Sequence, residues 1–144
     1  MADISVRPAQ AGDGGLLRDI YARGTVEEFT SRLAGAGEAT RYHLVEMAGS
    51  AVAVLAVTDL GRLRPGAPPR SLLHEIKLRP CVRNLGVIEA VLRWLASETG
   101  AGTERELIVL APLDDEPAVL AAFGLRESHR VFRWPVAANE VTAA

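Results

Sequence analysis

Residues able to do chemistry gather in Ser71–Gly102, which reads SLLHEIKLRP CVRNLGVIEA VLRWLASETG AG. Glu75 and His74 are the two candidates for a general base. A carboxylate or imidazole whose pKa is raised toward neutrality can take a proton from an amine about to attack a carbonyl. In an extended strand Leu73, Glu75, Lys77 and Arg79 fall on one side, and Leu72, His74, Ile76 and Leu78 on the other. Lys77 is the only lysine among 16 basic residues. The same pattern also suits a structural role, a locally neutralised charge ladder on a solvated face. Cys81, just before a helix start, could be activated as a thiolate, but it reads more simply as a small loop residue. His43 and His129 have no partners at zinc-ligand spacing, so no metal site is expected.

These groups need a strand, a turn and a helix to hold them. Leu72–Leu78 has strand character, and Pro80 stops it because proline has no amide hydrogen. Val82-Arg83-Asn84-Leu85-Gly86 then turns the chain. Apolar residues at 87, 88, 91, 92 and 95 recur at helical spacing, and Gly100 or Gly102 closes the helix. Such a unit aims free amides and the positive end of a helix dipole at one point, which suits a phosphate.

The remaining elements follow in order. Ile4 and Val6 suggest a short strand up to Pro8, and Asp13 can cap a helix carrying Leu16, Leu17, Ile20 and Tyr21 that ends near Gly24. Thr25-Val26-Glu27-Glu28 is a capping box, opening a helix that buries Val26, Phe29 and Leu33 and stops at Gly35 or Gly37. Tyr42–Met47 and Ala51–Thr58 pattern as a hairpin about Ala48-Gly49-Ser50. Residues 61–70, GRLRPGAPPR, form an irregular loop: either a solvated connector, or an arm that brings Arg62, Arg64 or Arg70 to an acidic ligand. Glu106–Ala111 reads as a buried strand, Ala118–Phe123 as a short helix and Val131–Trp134 as the last strand, before a frayed tail from 137 to 144. Tyr21, Tyr42, Trp94 and Trp134 read as core or surface residues.

The 144 residues fit one domain, with a core at about 3–136. Hydrophobic residues make up 49% of the chain and charged residues 24%, as in ordinary globular proteins. No apolar run is long enough to span a bilayer and no signal segment opens the chain, so no membrane association is expected. A net charge of −2, with no interleaving of basic and aromatic residues, speaks against nucleic acid as partner. A single cysteine rules out an internal disulfide and fits a reducing cytoplasm.

The order β-α-α-β-β-β-α-β-α-β, together with the residues above, resembles the GNAT acetyltransferase superfamily over about residues 3–136. In that family the fourth strand ends in hydrophobic-x-Pro, here Leu78-Arg79-Pro80. A pyrophosphate loop of pattern Gln/Arg-x-x-Gly-x-Gly/Ala follows. Arg83 and Gly86 match it, while Ile88 stands at its last small position. The opening ISVRPAQAGD and the Phe123-Gly124-Leu125 turn are also similar to the family's pattern.

The resemblance implies an α/β (α+β) fold with a mixed sheet of six to seven strands, the fourth central, and helices on both faces. It implies acetyl-CoA as co-substrate, with pantetheine at Leu78 and phosphates at Arg83, Asn84, Gly86 and Val87. Glu75 and His74 lie three and four residues before Leu78, where many members carry a catalytic acid. Leu120 occupies the position at which the family often has the tyrosine that protonates the leaving thiolate. Two functions therefore stay open. One is acetyl transfer from acetyl-CoA to the amine of a small molecule or an N-terminus. The other is a GNAT-fold protein without acyl transfer, serving as a ligand-binding or regulatory module or running other chemistry in the same cleft. A homodimer stays open as well.

Overall fold

The computed structural model describes residues 3–61, 64–80, 82, 86–98, 105–110, 117–122, 124–128 and 131–137. Five strands form one sheet in the order β1-β2-β3-β4-β5: β1 (Ile4–Pro8), β2 (Thr40–Met47), β3 (Ser50–Gly61), β4 (Arg70–Leu78) and β5 (Glu106–Val109). The first four pair antiparallel, and β5 joins β4 in parallel. A parallel neighbour requires a crossover, which the helix α3 (Val87–Glu98) supplies. The helices α1 (Gly14–Tyr21) and α2 (Val26–Ala34) stand between β1 and β2, and α4 (Pro117–Ala122) follows β5.

β3 is the middle strand, and Ala51–Val57 is buried without interruption. A strand covered on both faces has no solvent side to alternate toward, so its sequence runs continuously apolar. On one face Val45, Leu55, Val57 and Leu73 pack with Val87, Val91 and Leu95 of α3. On the other, Leu44, Ala51 and Val54 pack with Leu17 and Ile20 of α1, and Phe29 and Leu33 of α2 lie against that cluster. Helices thus cover both faces, as expected.

The capping box forms as the sequence predicts, with the Glu28 amide donating to Thr25 Oγ1 at 3.2 Å and the Thr25 amide donating to Glu28 Oε2 at 3.4 Å. The β2–β3 hairpin closes with a two-residue turn in which Ala48 and Gly49 have φ of 53° and 82°. That left-handed pair is the twist a right-handed hairpin needs. Asp13 does not cap α1. Its carboxylate instead accepts from the Gln10 amide and from Arg7, which also pairs with Glu46 and so ties β1 to β2.

Two expectations are corrected, and the described residues form five strands. Val131–Trp134 is not a strand: residues 131–137 carry no regular structure and pair with nothing in the sheet. Alternating apolar residues make a strand only when a neighbour supplies hydrogen-bond partners, and among the described residues β5 pairs only with β4. Finally, among the five described strands β4 is interior but not central, a place β3 takes because the β2–β3 and β3–β4 hairpins flank it.

Candidate active site

β4 carries an irregularity that decides where its side chains go. Ala56 is opposite Glu75 while the next residue, Val57, is opposite Leu73, so His74 is an extra residue without a register partner. Such a bulge breaks the two-residue alternation. Leu73 therefore lies in the α3-side core together with Ile76 and Leu78. Glu75 and Arg79 point to the opposite face, where they meet α1. The expected grouping of Leu73 with Glu75, Lys77 and Arg79 is corrected by this one extra residue.

On that face Tyr21, the last residue of α1, donates its hydroxyl to Glu75 Oε1 at 2.7 Å. The Tyr21 ring stacks on Phe29 of α2, with centroids 5.4 Å apart. Burial, followed by the hydrogen bond to Glu75, raises the Tyr21 pKa well above that of a free phenol. The hydroxyl therefore stays a donor throughout the working pH range. Glu75 is exposed, and its Oε2 has no partner among the described residues. Lys77 is exposed too and makes no ion pair among them, so Tyr21, not Lys77, is the partner of Glu75.

His74 is held apart from this pair. Its Nε2 lies 2.8 Å from Thr58 Oγ1, which in turn is 2.8 Å from Thr40 Oγ1. Beyond Glu75, Arg79 reaches Asp19 of α1 at 3.4 Å, and Arg18, Asp19, Ala22, Arg79 and Pro80 line a shallow, open depression.

The other side of this strand segment is less covered among the described residues. β5 is paired with β4 from Arg70 to Leu73, and the Leu110 amide donates to the Leu73 carbonyl at 2.9 Å. From His74 to Leu78 β4 has β3 on one side and, among the described residues, no strand on the other. Gly86 follows at the start of α3 with φ of 78°, a left-handed conformation open to glycine and strained for other residues. Its carbonyl accepts from Ala90, and Val87 is fully buried beneath it. Arg83 and Asn84 lie outside the described residues. The Ile88 side chain is buried.

Of the sequence-predicted residues, Glu75, Leu78, Gly86 and Val87 thus lie along one strand end and the helix start that follows it, with His74 beside them on a separate hydrogen-bond chain. Arg70, a candidate for ligand contact, pairs instead with Glu106 at 3.0 Å. Arg62 lies outside the described residues. Tyr21 was missed, since a tyrosine at the end of an amphipathic helix reads as a core residue. The available signal was its place one turn after Leu17, on the face that packs on the sheet.

The chain matches no protein-family model and no curated protein sequence. Solved structures match it along almost its whole length. A transcriptional regulator from Bacillus halodurans aligns at a TM-score of 0.73 and 12% identity, covering 93% of this chain and 100% of that one. Glucosamine-6-phosphate N-acetyltransferase from Arabidopsis thaliana aligns at 0.71 and 13%, covering 93% and 99%. An aminoglycoside N-acetyltransferase solved in complex with CoA aligns at 0.62 and 17%, covering 94% and 96%. At such identities the likeness speaks for architecture, and it agrees with the element order: the chain has the GNAT acetyltransferase fold.

Proposed function

We propose that the protein is a CoA-dependent N-acyltransferase that moves an acetyl group from acetyl-CoA to an amine of a small molecule or an N-terminus. The observation that carries this reading is the Tyr21–Glu75 hydrogen bond, set on the segment of β4 whose far edge carries no strand among the described residues. An open strand edge offers amides and carbonyls at regular spacing, which an amide-bearing pantetheine arm can pair with from His74 to Leu78. Gly86 and Val87 stand at a helix start, where the backbone amides and the helix dipole suit a phosphate, and Arg83 and Asn84 extend that assignment.

In this reading Tyr21 fixes one oxygen of Glu75 and leaves the other to accept a proton from the incoming amine. The amine nitrogen forms a bond to the thioester carbonyl carbon, its proton passes to Glu75 directly or through water, and the carbon–sulfur bond breaks. The departing thiolate, with a thiol pKa of about 8.5, takes its proton from solvent. Leu120 offers no proton at the position where the family often has tyrosine.

A second reading, a ligand-binding or regulatory module without acyl transfer, draws on Leu120 and on the fold's occurrence in a protein described as a transcriptional regulator. Calorimetry and thermal shift with acetyl-CoA and with CoA, followed by thiol release over a panel of primary amines, separate the two. Cofactor binding with amine-dependent thiol release is expected. Binding without release favours the module, and no heat or shift with either compound removes the acyltransferase reading.

A further inference from the structure

The face of β4 that holds Glu75 continues as a row of charge. By register Lys77 stands opposite Val54, and so on the α1 side with Glu75 and Arg79. The row reads acid, base, base, with Lys77 exposed between the other two. α1 adds to its basic end. Asp19 lies 3.4 Å from Arg79 and 3.8 Å from Arg18, and both arginines line the open depression beside it with Ala22 and Pro80. One carboxylate does not satisfy them. Each guanidinium has five N–H donors, and a charge-assisted hydrogen bond closes to about 2.7–2.9 Å, shorter than either contact. The depression thus keeps a net positive charge and unused donors. It is also separate from the helix start assigned to phosphate, because Val87 packs with Ile76 and Leu78 on the other face of β4.

We propose that this depression selects the acceptor: the amine delivered to Glu75 carries an acidic group, carboxylate or phosphate, set off from its nitrogen and held by Arg18 and Arg79. The proposal rests on the acyltransferase reading, which puts the amine at Glu75. Such an acceptor meets each end of the row with its opposite charge, ammonium arriving at Glu75 and acid at Arg79, with Lys77 along its path. The spacing calls for a remote acid. From Glu75 to Arg79 four residues of extended strand span roughly 13 Å, an upper limit that the long arginine side chain shortens. The carboxylate of an α-amino acid, one carbon away from its nitrogen, does not reach both. A diamine is selected against, because its second ammonium meets two guanidiniums.

Thiol release from acetyl-CoA, measured with linear ω-amino acids of increasing length, their carboxamides, the matching aminoalkyl phosphates and diamines, tests this. Acids should exceed their carboxamides in kcat/KM by roughly five- to tenfold, mostly through KM, as suits partly exposed charges. The margin should shrink as salt screens it. Whichever acidic series shows the larger margin separates carboxylate from phosphate. Arg18→Gln combined with Arg79→Gln should erase the margin, and Arg79→Glu should turn the preference toward diamines. Calorimetry of the same compounds on the protein without acetyl-CoA needs no turnover. A preference for the acid there, lost in the double variant, upholds the depression as an acid site even when no amine is acetylated, and only the acyltransferase reading then fails. No preference for the acid in either measurement overturns the proposal, while thiol release with uncharged amines leaves the acyltransferase reading standing. A double variant that raises KM for acetyl-CoA instead of for the acceptor also overturns it, by assigning the arginines to the cofactor's phosphates.

Discussion

The two faces of β4 are built from the same strand and have opposite characters. Toward α3, Leu73, Ile76 and Leu78 enter a core with Val87, Val91 and Leu95. Toward α1, Glu75 and Arg79 meet Tyr21 and Asp19. Without the extra residue at His74, strict alternation would put Leu73 among the charges and carry the imidazole into the α3-side core. The bulge assigns each side chain to its proper face, and it does so where β5 stops pairing. What the difference teaches is that one inserted residue can keep a dry face intact and still aim a carboxylate at the opposite side.

If the division holds, substitutions on the two faces fail in different ways. Glu75→Gln keeps the shape and removes the base. Turnover should fall by roughly 10²–10⁴-fold, with partial recovery at higher pH as free amine becomes available, and the melting temperature should hold. A stable variant with unaltered turnover would pass the role to His74. Leu73→Ala should behave in the opposite way, costing about 2–5 kcal/mol of stability by denaturant unfolding, with activity per folded molecule retained. Loss of turnover without loss of stability there would break the comparison. Tyr21→Phe removes one hydrogen bond to Glu75 and keeps the stacking on Phe29. Turnover should drop about tenfold, the equivalent of about 1.4 kcal/mol, with little change in KM. Because the phenol's pKa is raised, the wild-type rate should show no limb from this group below about pH 10.

Much of this architecture was legible in the sequence because it is written locally. The capping box at Thr25, the apolar period of α3 and the stop at Pro80 each involve neighbours along the chain. Gly86 was legible because one backbone angle there favours one residue type. The bulge was not, since the sequence HEIKL has no mark of an unpaired residue and the register depends on β3. Tyr21 was missed for a related reason: its partner is 54 positions away. The strand pattern at 131–134 was read correctly as a pattern, but strand formation needs an edge to pair with, which alternation alone does not reveal.

The smallest expected effect concerns the exception on the dry face. His43 is buried beside Trp94, ring centroids 4.6 Å apart, and its Nδ1 has no hydrogen-bond partner among the described residues. Burial lowers its pKa, nearby Arg41 lowers it further, and Glu98 opposes them weakly. The sign follows from which state binds the proton. Above the unfolded value of about 6.5 both states are neutral, and His43 adds no pH dependence. As pH falls below that value the unfolded chain takes up a proton that the folded chain refuses, so stability declines, and the decline levels off once pH passes the folded pKa. Asp13 works in a separate window. Its pKa is lowered first by the hydrogen bond from Arg7, so its contribution is complete above about pH 4 and is lost only at lower pH. His43→Phe keeps a ring against Trp94 and removes the titration. Melting curves of the two proteins should run parallel above pH 7 and diverge below about 6.5, with the wild type falling faster. Curves that stay parallel down to pH 5 would show that the dry face tolerates a charge at His43, and the contrast between the two faces would then rest on β4 alone.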